Sequence, residues 1–435
     1  MTKESERTYI KEIKKGPVFI EGWIHEIRDL AKIKFILLRD MTGVIQCILK
    51  DEKLMKKFSD LSVESVISIK GEAKPAQVKS PEVSQTEIEV EIKDFEIISK
   101  AEKLPINIHD KDIETGFAKR LDYRFLDTRK PKIAAIFKIR SNIYKNVTDF
   151  FYNEGFTIIN TPKITTIGLE SGAESFEVKY FDKKAVLAQS PQFYKQMFVM
   201  GGFERVAEIG PVYRAEKSHT TRHLTEFEGI DFEMGFIKDE NDVMDLAEKM
   251  IKYVLSKVKE ERKQELELLS IKFEVPKKIP RIPIQELKKI LTKQGKKLSE
   301  EDDLDAEAEK MIGEYIKKEY KEDFVFVTNY PFSKRPFYHM KPEKDPKGTR
   351  SFDLIWNGVE IATGAQREHR LDILQKQAKE KGIKIPKIYE DLFRFGAVPH
   401  GGVGLGLDRM TQRLLNLENT KEAVLLPRDT ERLTP

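Results

Sequence analysis

The stretch GFERVAEIGPVYRAEKSHTTRHLTEFEGIDFEMGF, residues 202–236, holds two runs that alternate as strands do, separated by a polar loop. Arg214, Glu216, Arg222, His223, Glu226, Phe227, Asp231 and Glu233 all fall within it. Two arginines, a loop histidine and an aromatic on facing strands suit a triphosphate with an attached base. Guanidinium groups bind phosphate oxygens bidentately, and an aromatic face stacks on a purine. Taken alone, an Arg–Glu pair on adjacent strands is a surface ion pair contributing under about 1 kcal/mol, so two further segments matter.

Near the C-terminus, HGGVGLGLDRMTQRLL (400–415) reads as a glycine-rich strand running into a helix near Arg409. It opens no βαβ unit with a ribose-binding acid downstream, which excludes a dinucleotide fingerprint. Upstream, FFYNEGFTIINTPKI (150–164) ends a long helix and leads into a strand and Pro162. In this order the three segments resemble motifs 1, 2 and 3 of the class II aminoacyl-tRNA synthetases, and the class I signatures HIGH and KMSKS are absent. The resemblance implies an α+β catalytic domain, a mostly antiparallel sheet flanked by helices, which agrees with the lack of regular βαβ alternation.

Working outward, PVFIEGWIHEIR, IKFILLRDMTGVIQCILK, VISIKGEAK and TEIEVEIKDFEIIS, all between residues 17 and 99, read as short strands. Five such strands predict a small closed β-barrel, and the OB-fold is the form whose face binds single-stranded nucleic acid. The expected organisation is an OB-fold anticodon-binding domain at 1–103, a hinge at 104–130 and a class II catalytic domain at 131–435, with a Lys/Pro-rich and then acidic insertion around 275–345. Ile136, Ile139, Ile143, Val147, Phe150 and Phe151 form the apolar stripe of a helix, with Gly155 where its C-cap belongs. A second amphipathic helix is expected over about 240–260.

The synthetase subclass with an N-terminal OB-fold contains aspartyl, asparaginyl and lysyl members. AQSPQFYKQ (188–196) resembles the aspartyl pattern Q-S-P-Q-x-x-K, which places Lys195 on the substrate's side-chain carboxylate. Asparaginyl members carry a pattern like S-G-Q-L-H-L-E there. In FDLIWNGVEIATGAQREHRLDIL (352–374), Arg367 would hold the same carboxylate, with Asp231 supporting the cationic pair. Ser190, Gln192 and Glu170 would contact the substrate ammonium, and Arg214 and Thr363 complete the expected aspartate contacts.

The implied reaction is attack of aspartate on the ATP α-phosphate, then transfer to the tRNA terminal ribose. No protein nucleophile is required; the protein supplies positioning and charge stabilisation. By the resemblance Arg214 takes the α-phosphate and Arg409 the γ-phosphate, and these two are the catalytic candidates. Glu216, Arg222, His223, Leu224, Phe227, Glu360 and Gly406 complete the ATP set, while Glu360, Thr363 and Asp353 are the Mg2+ candidates. In the barrel, Phe35 corresponds to the base-stacking aromatic, and Arg28 and Gln46 to base-edge contacts. His25 and Pro81 stand near the positions where members that accept tRNA(Asn) as well as tRNA(Asp) carry histidine and proline. The motif 1 likeness implies an isologous homodimer. The alternatives are a member restricted to tRNA(Asp), an asparaginyl member, for which Lys195 is the discriminating residue, and an RNA-binding paralogue without ligation. Retention of Arg214, Arg409 and Glu360 disfavours the last.

Composition bounds the rest. A net charge of +4 is too small to announce a nucleic-acid partner, so any RNA surface must be local. The charged N-terminal segment lacks a signal-like apolar core and no long apolar run follows, so a cytoplasmic location is expected. The single cysteine, Cys47, excludes an internal disulfide and a cysteine metal cluster.

Overall fold

The computed structural model describes residues 6–30, 32–108, 115–166, 174–217 and 223–435. The chain divides into two compact units, Met1–Asn107 and Ile108–Pro435. In the first, strands β1 (Gly16–Leu30), β2 (Ile33–Arg39) and β3 (Val44–Leu49), helix α1 (Glu52–Phe58), and strands β4 (Val66–Pro75) and β5 (Ile88–Ser99) follow in order. The strands close into a barrel of order β1-β2-β3-β5-β4. Strand alternation decides its inside: Ile36 and Leu38 of β2 and Ile45, Cys47 and Leu49 of β3 enter the apolar core. Phe35, Leu37 and Gln46 therefore take the outer face. Cys47 is fully buried and burial raises its thiol pKa, the state of an inert small hydrophobe.

In the second unit, helices α2 (Phe117–Asp122), α3 (Arg124–Asp127) and α4 (Pro131–Asn153) precede strands β6 (Thr157–Ile158), β7 (Ile164–Thr165), β8 (Glu177–Tyr180) and β9 (Lys183–Leu187). Helix α5 (Gln192–Phe198) leads to β10 (Arg205–Tyr213) and β11 (Glu226–Gly235), then to α6 (Glu240–Glu261) and α7 (Lys263–Leu268). After β12 (Arg281–Pro283), α8 (Ile284–Lys293) and α9 (Ala306–Glu319) come β13 (Phe324–Thr328), β14 (Ser351–Trp356) and β15 (Val359–Arg367). Helices α10 (Leu371–Glu380) and α11 (Lys387–Arg394), strand β16 (His400–Gly406) and helix α12 (Leu407–Leu414) follow.

An eight-stranded sheet of order β12-β13-β14-β15-β16-β11-β10-β6 carries this unit, and β7, β9 and β8 form a smaller sheet. Its interior pairings are antiparallel, while the edge strands β12 and β6 pair parallel with β13 and β10. The predicted stripe of α4 is buried against the sheet together with Val243, Leu246, Met250, Ile251 and Val254 of α6. Each such side chain contributes roughly 1.5–3 kcal/mol on burial. Gly155, at φ +74°, ends α4 in the left-handed conformation that glycine adopts without a Cβ penalty.

Two regions differ from their sequence reading. The stretch expected as a hinge contains α2 and α3, held by ions rather than by an apolar period. Asp127 is buried and receives Arg120 at 3.0 Å and Arg124 at 2.8 Å, and Arg124 also donates to Glu422 O at 3.0 Å. The stretch expected as an insertion supplies two strands of the main sheet, β12 and β13, and packs α8 and α9 over them through Leu287, Leu291, Ile312 and Ile316. Among the described residues, no helix is long and apolar enough to cross a membrane.

Candidate active site

Helix α5 starts at Gln192, so Lys195, one turn on, faces β11. Lys195 has no exposed surface; its ammonium donates to Asp231 Oδ1 at 2.7 Å and lies 3.6 Å from Glu233 Oε2. Asp231 and Glu233 stand two apart on β11 and so share one face. The neighbouring strand pairs Gly404 with Asp231 and Gly402 with Glu233. A Cβ on Gly402 would stand 2.2 Å from Glu233 Oε2, and one on Gly404 3.1 Å from Asp231 Oδ1. The glycine-rich run of β16 thus leaves room for two carboxylates.

Arg367, on β15, approaches the same carboxylates from the other side of β16. It donates to Glu233 Oε1 at 3.0 Å, to Gln192 Oε1 and Gly402 O at 3.1 Å each, and to His339 Nε2 at 2.8 Å. Facing a guanidinium, His339 Nε2 must accept, which requires the unprotonated ring nitrogen. Burial, and then the Arg367 charge, hold the His339 pKa well below the usual histidine range. For Glu233, burial pushes the pKa up, but the charges of Arg367 and Lys195 outweigh it and hold the carboxyl below its ordinary value. Gln192 Nε2 donates to Glu233 Oε2 at 3.2 Å, and Ser190 Oγ accepts from Gln192 N at 3.1 Å. Glu233, which the sequence reading named without giving it a role, and His339, which it did not name, therefore join the predicted set. The i, i+2 spacing of Asp231 and Glu233 on a strand was the available signal for the first; His339 carried none.

A cavity of about 410 Å³ extends from this cluster, lined by Ser190, Gln192, Asp231 and Arg367 at one end. Arg214, Glu216, His223, Leu224, Phe227, Glu360, Thr363, Gly406 and Arg409 also line it. Lys195 and Asp353 do not; Lys195 lies behind Asp231. The Arg214 guanidinium sits 5.4 Å from the Phe227 ring centre, a cation–π arrangement. Glu216 bridges this end, 3.9 Å from Arg214 and 3.7 Å from His223 Nε2. Arg409, in the first turn of α12, donates to Glu360 O at 3.1 Å and lies 3.7 Å from Glu360 Oε1. Asp408 beside it accepts from Arg140 of α4 at 2.7 Å and from Glu228 N at 3.0 Å, fixing the helix start against β11. Glu170 and Arg222 lie outside the described residues.

The corner at Glu360 suits a divalent cation. Thr363 Oγ1 donates to Glu360 Oε1 at 3.1 Å, and Asp353 pairs with Thr363 across β14–β15. Burial, then the Asp353 charge, raise the Glu360 pKa, and Asp353 Oδ1 is buried with no hydrogen-bond partner. Two carboxylates that repel each other and a hydroxyl are hard oxygen donors of the kind Mg2+ takes. Asp353 Oδ2 is held by Arg335 at 2.5 Å, and no cluster of three His, Cys, Asp or Glu residues able to hold a metal occurs among the described residues. Most of the coordination shell would then come from water and phosphate oxygens.

On the barrel, Arg28 of β1 pairs with Phe35 of β2, and Gln46 of β3 pairs with Leu37, so the three predicted RNA contacts share the outer face. Phe35 is half-buried and belongs to none of the apolar cores, while Arg28 and Pro81 are exposed. Gln46 Nε2 donates to Glu89 at 3.0 Å, and Arg28 is held by Glu26 at 2.9 and 3.0 Å. His25, the other residue tied to the tRNA range, is turned inward. It is 4% exposed, and both ring nitrogens are engaged, Nε2 with Glu82 at 3.0 Å and Nδ1 with Arg39 at 2.9 Å. A register shift in β1 between Ile24 and Glu26 turns it inward.

A buried Lys–Asp and Arg–Glu cluster, an Arg–Phe clasp on an antiparallel pair and a helix-borne arginine beside Glu360 thus gather around one cavity of the main sheet. The chain belongs to the family described as tRNA synthetases class II (D, K and N), which matches residues 117–430; an OB-fold nucleic acid binding domain matches residues 18–98. An aspartate–tRNA(Asp/Asn) ligase of Aeropyrum pernix is 44% identical over 97% of this chain and 96% of its own. An aspartate–tRNA(Asp) ligase of Pyrococcus horikoshii is 42% identical over 98% of each chain. The asparaginyl-tRNA synthetase structure from Pyrococcus horikoshii, complexed with asparaginyl-adenylate, superposes with a TM-score of 0.91 at 32% identity, covering 99% of this chain and all of that one.

Proposed function

We propose that this chain is an aspartate–tRNA ligase that consumes ATP, forms aspartyl-adenylate and charges both tRNA(Asp) and tRNA(Asn). The observation that carries the amino-acid assignment is Lys195, fully buried and paired with Asp231 beside the Arg367–Glu233 pair. Arg367 lines the cavity and Lys195 stands behind Asp231 at the same end, and positive charge placed there suits a side-chain carboxylate. A neutral amide would bring no charge to the Arg367 guanidinium that lines the cavity, and a buried site built for charge discriminates against it.

In this reading Arg367 holds the β-carboxylate with the charge of Lys195 behind Asp231 assisting, and Ser190 and Gln192 face the ammonium. A carboxylate oxygen of the amino acid attacks the α-phosphorus, a new P–O bond forms, and the bond to pyrophosphate breaks with its electron pair. Arg214 stabilises the charge on the α-phosphate and Arg409 that on the γ-phosphate, while Phe227 stacks on adenine once Arg214 turns to phosphate. Glu360, Thr363 and Asp353 would hold Mg2+, which supplies charge neutralisation on the phosphates. The tRNA ribose hydroxyl then takes the aspartyl group and AMP leaves. The barrel's outer face, with Phe35 flanked by Arg28, is the anticodon surface, where stacking contributes about 1–3 kcal/mol per base. Two chains form an isologous dimer.

Relatives named for tRNA(Asp) alone and for tRNA(Asp/Asn) resemble this chain almost equally, so the tRNA range needs a measurement. Charging of purified tRNA(Asp) and tRNA(Asn) transcripts with aspartate is expected to proceed with comparable kcat/KM. A preference above about a hundredfold for tRNA(Asp), the size of strong single-base readout, refutes the dual reading.

A further inference from the structure

The segment between β13 and β14 brings a second arginine to the corner at Glu360. Arg335 lines the same cavity as Glu360 and Arg409. Its guanidinium donates to Asp353 Oδ2 at 2.5 Å and stands 3.8 Å from the centre of the Tyr330 ring, a cation–π seat. Both members of this ion pair are buried. The segment is fastened where Thr349 Oγ1 donates to Tyr330 O at 2.8 Å and where Pro331 pairs with Gly348. Burial lowers the Arg335 pKa, but the charges of Asp353 and, more weakly, Asp303 outweigh it and raise the pKa above its ordinary value. Tyr330 stays a neutral phenol, since burial and then the Asp353 charge raise its pKa well above the usual range. The two carboxylates of the corner therefore each face a guanidinium: Asp353 meets Arg335, and Glu360 Oε1 lies 3.7 Å from Arg409. The two pairs differ in kind. Arg335–Asp353 is short and enclosed, whereas Arg409–Glu360 is longer and its side chains are partly exposed.

A divalent cation is drawn to carboxylates and repelled by a fixed guanidinium, and away from water both effects are less screened. An arginine keeps its charge at any working pH. Asp353 thus offers a metal a charge that is already balanced at close range. Glu360 is set free in another way. In the function proposed above, Arg409 turns to the γ-phosphate of ATP, which takes its charge off Glu360, and the phosphates bring their own oxygens to the metal. We propose that Arg335 is a resident counter-ion of this corner: it balances Asp353, so that a divalent cation is held only weakly until ATP is bound. This rests on the reading of Glu360 and Asp353 as metal ligands.

The test uses the full-length enzyme without nucleotide and Mn2+ as the probe, its bound fraction read by electron paramagnetic resonance. Arg335→Gln removes the charge but keeps a hydrogen-bond donor for Asp353, and Arg335→Met is a second neutral variant. Each is expected to bind Mn2+ at least about tenfold more tightly than the unmodified enzyme, the scale of a coupling between two sites. Arg335→Lys keeps a cation in place and is expected to stay within about threefold of the unmodified enzyme. Adding Asp353→Asn to Arg335→Gln is expected to abolish the gain, which locates it at this corner. A merely anchoring role for Arg335 predicts the opposite sign, because a loosened Asp353 holds a metal less well. Equal or weaker Mn2+ binding in the neutral variants, an equal gain in Arg335→Lys, or a gain that survives Asp353→Asn overturns the proposal. Glu360→Gln separates the two layers: a raised Mg2+ requirement in pyrophosphate exchange supports the corner as the metal site whatever the Arg335 result, and an unchanged requirement overturns that site and the counter-ion with it.

Discussion

At the scale of the residue, the amino-acid end of the cavity depends on charges that cannot leave singly. Taking an ammonium or a carboxylate out of water costs several kcal/mol, and removing one partner of a buried pair typically costs about 3–5 kcal/mol because the other is left uncompensated. Lys195 and Arg367 share Glu233, at 3.6 and 3.0 Å. Lys195→Ala and Arg367→Ala are therefore expected to lower aspartate kcat/KM in pyrophosphate exchange by at least about a hundredfold, the scale of a lost charged contact, with ATP affinity by calorimetry within about threefold. Aspartate-dependent exchange near the unmodified level in either variant contradicts the assignment. Most of this site was legible in short motifs, since Q-S-P-Q-x-x-K and the strand around Arg367 bring their polar residues to one place. Glu233 was legible in principle, as the same-face neighbour of Asp231. His339 was not, because its role arises from a loop folding back onto Arg367, a contact 28 residues away that no local period encodes. The burial of His25 was not legible, because a register shift between Ile24 and Glu26 breaks the simple alternation of β1.

At the scale of the element, apolar periodicity located α4 and α6 and alternation located the barrel strands, since burial imposes both patterns. Periodicity was blind to α2 and α3, whose anchor is the buried Asp127 and its arginines. It also missed β12 and β13, because a strand of three or five residues flanked by Lys- and Pro-rich sequence offers too few positions to show a period. Helix α4 with its following strand bears on assembly. Tyr152 is 63% exposed and Ile164 47% exposed, on either side of Pro162 in the motif 1 segment. A second copy covering such residues would bury apolar surface at roughly 25 cal/mol per Å². Light scattering at micromolar concentration is expected to give the mass of two chains; the mass of one chain contradicts the homodimer.

For the whole molecule, the division of labour follows from two units of different chemistry. A five-stranded barrel with the partly exposed Phe35 on its outer face suits RNA, and an antiparallel sheet with a charged cavity suits amino-acid activation. The small net charge means that tRNA affinity must come from local contacts, a property no overall composition discloses. The fold is shared closely with an asparaginyl enzyme, so the fold alone does not choose the amino acid; in the proposed reading that choice falls to Arg367 and to Lys195 behind Asp231. The most direct measurement is amino-acid-dependent exchange of pyrophosphate into ATP, run side by side with aspartate, asparagine and lysine. A kcat/KM for aspartate at least about a hundredfold above the other two is expected from a site built around a carboxylate; exchange with asparagine or lysine equal to or above that with aspartate would contradict it.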